Sequence, residues 1–389
     1  VKSIPREMQT HCKPFVPGTY SIINQWQVKS FKNTLVYQPD PVHHKFENRY
    51  FSKPEQSIIQ KNISALLENA VEKRLLSDRP IGCLLSGGLD SSLIAALVQQ
   101  KTKTRIHTFS IGMKGSPDLK YARMVANHID SVHHEVIVSA QKMLESIPNV
   151  VKSIESYDET TVLASTPMWL LCKYISENSS IKVLFTGEGS DEASGSYLYF
   201  HNSPTFSDFQ NECLRLLRDL HRFDVLRCEK CISAWGLEAR VPFLDQDFLK
   251  EYMSIHPTLK SPKDNIKNYK PIEKFLLRNA FDDGLLPQDV LWRTKEAFSN
   301  GVSPLNNDWH SIVNNDCKDF ESTTFGHEYV NEIEKKPLTN KGAYFRFLFD
   351  QCYNNANLIP YYWTPKWTTT TDSSARALDI YDDVQNKNE

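Results

Sequence analysis

Residues 81–100 read IGCLLSGGLDSSLIAALVQQ: an apolar run, a Ser-Gly-Gly turn and an amphipathic segment in immediate succession. The run 81–85 is short and bounded by glycine, as in a strand buried in a parallel sheet, and 91–100 carries its apolar residues at helical spacing. Gly87 and Gly88 have no Cβ, so successive N–H groups can converge on an anion where the N-terminus of the next helix adds its partial positive charge. Ser86, Ser91 and Ser92 supply hydroxyl donors. Asp90 is out of place beside phosphate unless a divalent cation stands between them, which points to Mg-ATP.

The string lacks the Lys-Ser/Thr ending of a Walker A loop and the spacing of a dinucleotide fingerprint. Ser-Gly-Gly-Leu-Asp-Ser-Ser instead resembles the PP-loop of ATP pyrophosphatases, enzymes that cleave ATP between the α and β phosphates.

Further strands are expected over 105–113, 132–139 and 181–186, with helical patterns at 117–130, 140–152 and 166–178, after a long helix that begins near Ile58 and ends before Pro80. That alternation predicts a parallel α/β sheet, whose ligands bind at the carboxyl ends of the strands. The Ser-Gly-Gly turn and Thr186-Gly187-Glu188-Gly189-Ser190-Asp191-Glu192 both fall at such ends, so two acidic, glycine-bearing loops face one crevice. Beyond about 205 the pattern is mainly helical. Residues 368–374 and the polar end after Tyr381 are expected to be exposed and mobile.

With 389 residues the chain exceeds one ordinary domain, so two units are expected, and a net charge of −2 offers no basic excess for a nucleic acid. The eight cysteines are scattered, which fits reduced thiols and a cytoplasmic location; Cys228 and Cys231 form a lone CxxC read as structural. His133-His134 is read as the start of a strand. No apolar run reaches the length of a membrane span.

Glu188, Asp191 and Glu192 repel one another at the end of an apolar strand unless a cation or a proton compensates. Asp90 and Asp191 are the expected magnesium pair, and Lys295 adds a cation from a loop after Pro287.

The strings SGGLDSS, TFSIGM with SPDL, SYDETTV, TGEGSDE, GLEARVPFLD and WRTKEAFSNGV occur in the order found in glutamine-dependent asparagine synthetases. The chain resembles the synthetase half of that family over most of 46–376. The resemblance implies an adenine nucleotide α-hydrolase-like α/β fold of PP-loop type, a parallel sheet flanked by helices with a mainly helical C-terminal part. Residues 1–45 are similar to the end of the family's glutaminase domain plus a linker, and 377–389 read as a polar tail. The reaction implied is attack of the aspartate side-chain carboxylate on the α-phosphate of Mg-ATP, giving β-aspartyl-AMP and pyrophosphate. Ammonia, supplied by glutamine hydrolysis in the intact family enzyme, then displaces AMP.

Residue by residue, Leu84 and Ile111 match the family's adenine contacts and Thr186-Gly187 its nucleotide-binding pair. Ser86, Gly87, Gly88, Asp90 and Ser91 match the pyrophosphate loop. Glu188 matches the residue tied to the acyl-adenylate, and Lys295 the lysine that stabilises phosphate charge, with Asp191 beside them. Thr160, Thr161 and Leu163 fall where the family holds aspartate, but Leu163 stands in place of its usual arginine. Ser194, Ser196 and Asn300 replace the usual Phe, Gly and Asp. The arginine's loss leaves two alternatives open, an adenylating enzyme for another acid or a weakened member with a binding role. Self-association into a homodimer is also left open.

Overall fold

The computed structural model describes residues 49–263, 265–267, 270–333, 336–354, 361–370 and 374–381, together with 3–12, 15, 17, 20–24, 27–32, 359 and 372. Much of the segment read as a glutaminase remnant and linker, and the polar end after Tyr381, therefore lie outside the described residues. Within the first, a 3-10 turn (Arg6–His11) precedes an antiparallel hairpin of β1 (Tyr20–Asn24) and β2 (Gln27–Lys32).

The first long helix, α1 (Lys53–Lys73), starts five residues before the expected Ile58 because a capping box fixes its end. The Ser52 N–H donates to Glu55 Oε2 at 2.8 Å while the Ser52 hydroxyl accepts from the Glu55 N–H, and Pro54 suits the first turn. Then follow β3 (Ile81–Leu84), α2 (Leu89–Lys101), β4 (His107–Gly112), α3 (Pro117–His128), β5 (Val132–Ile137), α4 (Ala140–Ile154), α5 (Glu159–Asn178) and β6 (Val183–Phe185).

Helix α5 begins seven residues earlier than expected. Asp158 caps it, its carboxylate accepting from the Thr161 N–H at 3.0 Å, and Pro167 lies inside the helix. A proline inside a helix leaves the carbonyl four residues back without its donor. Here that carbonyl belongs to Leu163, and the Trp309 indole N–H donates to it at 3.2 Å.

The chain continues through α6 (Ser190–Ser194), α7 (Phe206–Asp219), α8 (Asp224–Ser233), β7 (Glu238–Arg240), α9 (Gln246–Ser254) and α10 (Phe275–Ala280). Five strands form one sheet in the order β5-β4-β3-β6-β7, every pair parallel. Strand β7 has three residues, too few to show a period of two, and the sequence reading missed it. Apolar clusters cover both faces, one built on α1, α2 and α7, the other on α4, α5 and α8. The chain leaves β3 toward β4 on one side and returns to β6 on the other, so the order reverses between β3 and β6. A crevice opens at such a switch point.

His133 and His134 lie in β5, and Cys228 and Cys231 are buried free thiols on α8. The expectation of a mobile 368–374 segment fails at Ser374, which is 5% exposed and accepts from Asn300 Nδ2 at 2.9 Å. Leu378 and Tyr381, at the start of the expected tail, are buried as well. No helix among the described residues is long and apolar enough to cross a membrane.

Candidate active site

Sequence dictates the Ser-Gly-Gly turn closely. Gly87 has φ +75°, and a Cβ there would stand 2.4 Å from the Ala122 nitrogen. The serine hydroxyls close the turn: the Ser86 N–H donates to Ser91 Oγ at 3.2 Å, and Ser91 Oγ donates to the Gly88 carbonyl at 3.2 Å. Helix α2 starts from Gly88 and aims its free N–H groups into the crevice. The loop after β6 packs directly on it, since a Cβ on Gly187 would come within 2.8 Å of the Asp90 backbone.

Between these loops lies a cavity of about 210 Å³. Leu84, Ile111, Ala164 and Met168 make one end apolar; Ser86, Gly88, Asp90, Ser91, Thr186 and Gly187 lie on its wall, as do Thr160, Thr161, Glu188, Asp191 and Lys295. Of the residues expected in the site, Gly87, Ser92, Leu163 and Glu192 do not contribute to that wall, and the hydroxyl of Ser92, expected to donate to phosphate, is instead sealed inside α2 with no hydrogen-bond partner among the described residues. Gly87 instead accepts from Arg293 Nη1 through its carbonyl at 3.0 Å, and Arg293 Nη2 donates to Asp118. That pair fastens the 293–296 loop over the turn.

The three carboxylates expected to need a cation or a proton find both within the protein. Lys274 Nζ bridges Asp90 Oδ2 (2.6 Å) and Asp191 Oδ1 (2.5 Å), and Lys295 Nζ takes Asp191 Oδ2. Burial alone would raise the Asp191 pKa, but the two ammonium groups hold it well below the usual carboxylate range. Lys295 is likewise opposed by burial, yet Asp191 and Asp90 push its pKa up, so it stays an ammonium. For Glu192, burial together with the charges of Asp224 and Asp191 raises the pKa far above normal and so favours a proton, while Tyr197 OH, donating at 2.6 Å, pulls the other way.

Glu188 is intermediate. Burial pushes its carboxyl up to about 7 although Arg227 Nη2, at 2.8 Å, pulls the other way. A group poised near neutrality can take a proton at one moment and release it at the next. Asp158, at the head of α5, is pushed up to about 6 by burial, and beside it Thr160 Oγ1 is buried with no hydrogen-bond partner.

A family model described as asparagine synthase matches residues 62–212 and 202–350. The chain belongs to the asparagine synthase family. It is 41% identical over 388 residues to the glutamine-hydrolysing asparagine synthetase of Rattus norvegicus, covering 95% of this chain and 67% of that one. The human and Gallus gallus proteins of the same name match at 41% over 387 and 40% over 391 residues, with the same shares covered.

Against the family pattern, two departures have visible partners. Ser196 donates to Asp191 Oδ1, and Asn300 ties down the C-terminal segment through Ser374 and the Ala375 N–H. Leu163 departs from its expected place beside the substrate: its side chain is fully buried in the apolar cluster on α4 and α5, turned away from the cavity. Leu163→Arg is therefore expected to lower stability by about 3 kcal/mol, the cost of an unpaired buried charge. A urea titration reads this out. An unchanged midpoint together with a lower KM for aspartate would show that the guanidinium reaches the cavity after all.

Sequence reasoning missed Lys274, Arg227 and Asp224. Lys274 sits in a short segment without periodicity, with φ +57°, and nothing in its neighbours marks it. Arg227 did leave a signal. It stands four residues before buried Cys231 on the same face of α8, where an arginine needs a reason.

Proposed function

We propose that this chain makes asparagine from aspartate, ATP and ammonia through β-aspartyl-AMP. The observation that carries the reading is the joining, in one cavity, of an apolar slot, a Ser-Gly-Gly turn at a helix N-terminus, one buried and one half-buried ammonium group and a carboxyl titrating near neutrality. The adenine fits the slot lined by Leu84 and Ile111, and the phosphates fit the turn of Ser86, Gly87, Gly88 and Ser91.

In the first step an oxygen of the aspartate β-carboxylate bonds to the α-phosphorus, and the bridging bond to the β-phosphate breaks with its electron pair on pyrophosphate. Lys295 lies where that charge develops. In the second step the ammonia nitrogen bonds to the acyl carbon, the bond to AMP breaks, and Glu188 accepts the surplus proton.

Magnesium suits Asp90 and Asp191, because it is held by one or two carboxylates together with substrate phosphates. When bound it would shield phosphate charge, sharing the two carboxylates with Lys274. The buried free thiols, such as Cys83 and Cys172, support a cytoplasmic location.

With ammonium chloride and Mg-ATP, the purified chain is expected to release asparagine, AMP and pyrophosphate in equal amounts when aspartate is supplied. Pyrophosphate release with another carboxylic acid but not with aspartate would overturn the substrate. ATP binding without turnover of any acid would point to a binding role.

A further inference from the structure

The cavity wall also carries Asp224 and Arg227 from the first turn of α8, with Arg227 paired to Glu188. Neither belongs to the nucleotide-binding set. Arg227 is 7% exposed, and a guanidinium that deep is costly unless its donors are used. Only Nη2 is used: it donates to Glu188 Oε2 at 2.8 Å and to Asp224 Oδ1 at 2.9 Å. Among the described residues Nε and Nη1 have no hydrogen-bond partner, yet they are not among the sealed polar atoms, so they keep accessible surface on a residue that lines the cavity. Asp224 Oδ2 is also without a partner among the described residues, on a side chain 22% exposed.

We propose that Arg227 and Asp224 form the subsite for the amino-acid head of aspartate, the guanidinium taking its α-carboxylate and the Asp224 carboxylate its α-ammonium. The assignment rests on the asparagine-forming reading. A zwitterionic head needs one cation and one anion side by side, and this is the pair the wall supplies. Nη1 keeps two unused N–H groups, enough for a charge-assisted hydrogen bond to a carboxylate. Glu188 is paired with Arg227, and the charges of Asp224, Asp191 and Lys295 act on it as well. A four-carbon amino diacid held by its head at α8 shares one cavity with Glu188 and Lys295, into which its other carboxylate extends. The subsite also accounts for Leu163: the substrate's cation comes from α8, so α5 can use that position for packing.

Calorimetry on the full chain, with ATP made non-cleavable by an α,β-methylene group, tests the assignment using three acids. L-Aspartate carries both head groups, β-alanine lacks the α-carboxylate, and succinate lacks the α-ammonium. Arg227→Gln is expected to weaken aspartate binding by about tenfold to a hundredfold and to leave β-alanine unchanged. Asp224→Asn is expected to weaken aspartate likewise and to leave succinate unchanged. Retained binding of the ATP analogue certifies folding, and should Arg227→Gln lose it, Asp224→Asn decides by the same criterion. Equal weakening of aspartate and the truncated acid, or weakening of neither, overturns the subsite alone. Failure of the native chain to bind aspartate at all overturns the asparagine-forming reading, and the subsite with it.

Discussion

Replacing Lys295 by methionine is expected to lower pyrophosphate release by about a hundredfold to a thousandfold while the protein stays folded. The two halves of that result have separate causes. Lys295 lines the cavity, paired with Asp191 and within the field of Asp90, so its charge is available to phosphate oxygens as they become more negative. Its removal does not strand Asp191, because Lys274 still pairs with that carboxylate. Lys274→Met should behave differently. Lys274 is 1% exposed on its side chain and is the ammonium shared by Asp90 and Asp191, so its loss leaves two facing carboxylates with one cation between them. A cost of about 3 kcal/mol is expected, the lower end for breaking a buried pair. Magnesium chloride should raise the melting temperature of Lys274→Met more than that of the native chain, since a divalent ion can take over the vacated position. Equal activity loss and equal destabilisation in the two variants would remove the distinction between them, and a magnesium effect no larger than the native one would speak against Asp90 and Asp191 as the metal pair.

How much of this was legible beforehand follows from the length scale of each signal. The nucleotide loop announces itself in twenty consecutive residues, because strand, turn and helix all bear on one phosphate. The strands at 105–113, 132–139 and 181–186 are legible too, each being a short segment rich in β-branched and apolar residues beside a helical pattern. Boundaries fail where a side chain rather than a period sets them, as at Ser52 and Asp158. The acidic loop was read correctly as needing compensation. Its source was not, because Lys274, Arg227 and Tyr197 reach the cluster from separate elements, and no spacing along the chain encodes that meeting. Leu163 shows the opposite error. A position inferred from a resemblance carried the expectation of a substrate contact, whereas three-dimensional packing had given it to the core.

Glu188→Gln separates the second chemical step from folding. Glutamine cannot accept a proton, so asparagine formation at saturating substrates is expected to fall by about a hundredfold to ten-thousandfold, the usual worth of a general base. At a constant concentration of free ammonia, the native rate should rise across pH 7 as the buried carboxyl ionises, and the variant's profile should be flat there. Stability should move the other way. The folded-state pKa lies above the ordinary carboxylate value of 4.5, so folding favours the protonated form. That contribution is fully present below pH 4.5 and is lost as pH rises through about 7. Glutamine imitates the protonated form at every pH, while Arg227 keeps Asp224 as a partner. The variant should therefore be no less stable than the native chain above pH 7, with its advantage growing as pH increases. Thermal melts at pH 6 and pH 8 alongside the rate profiles decide the matter. A variant that retains the native slope across pH 7, or one destabilised more at pH 8 than at pH 6, would mean that the ionisation governing both quantities belongs to another group.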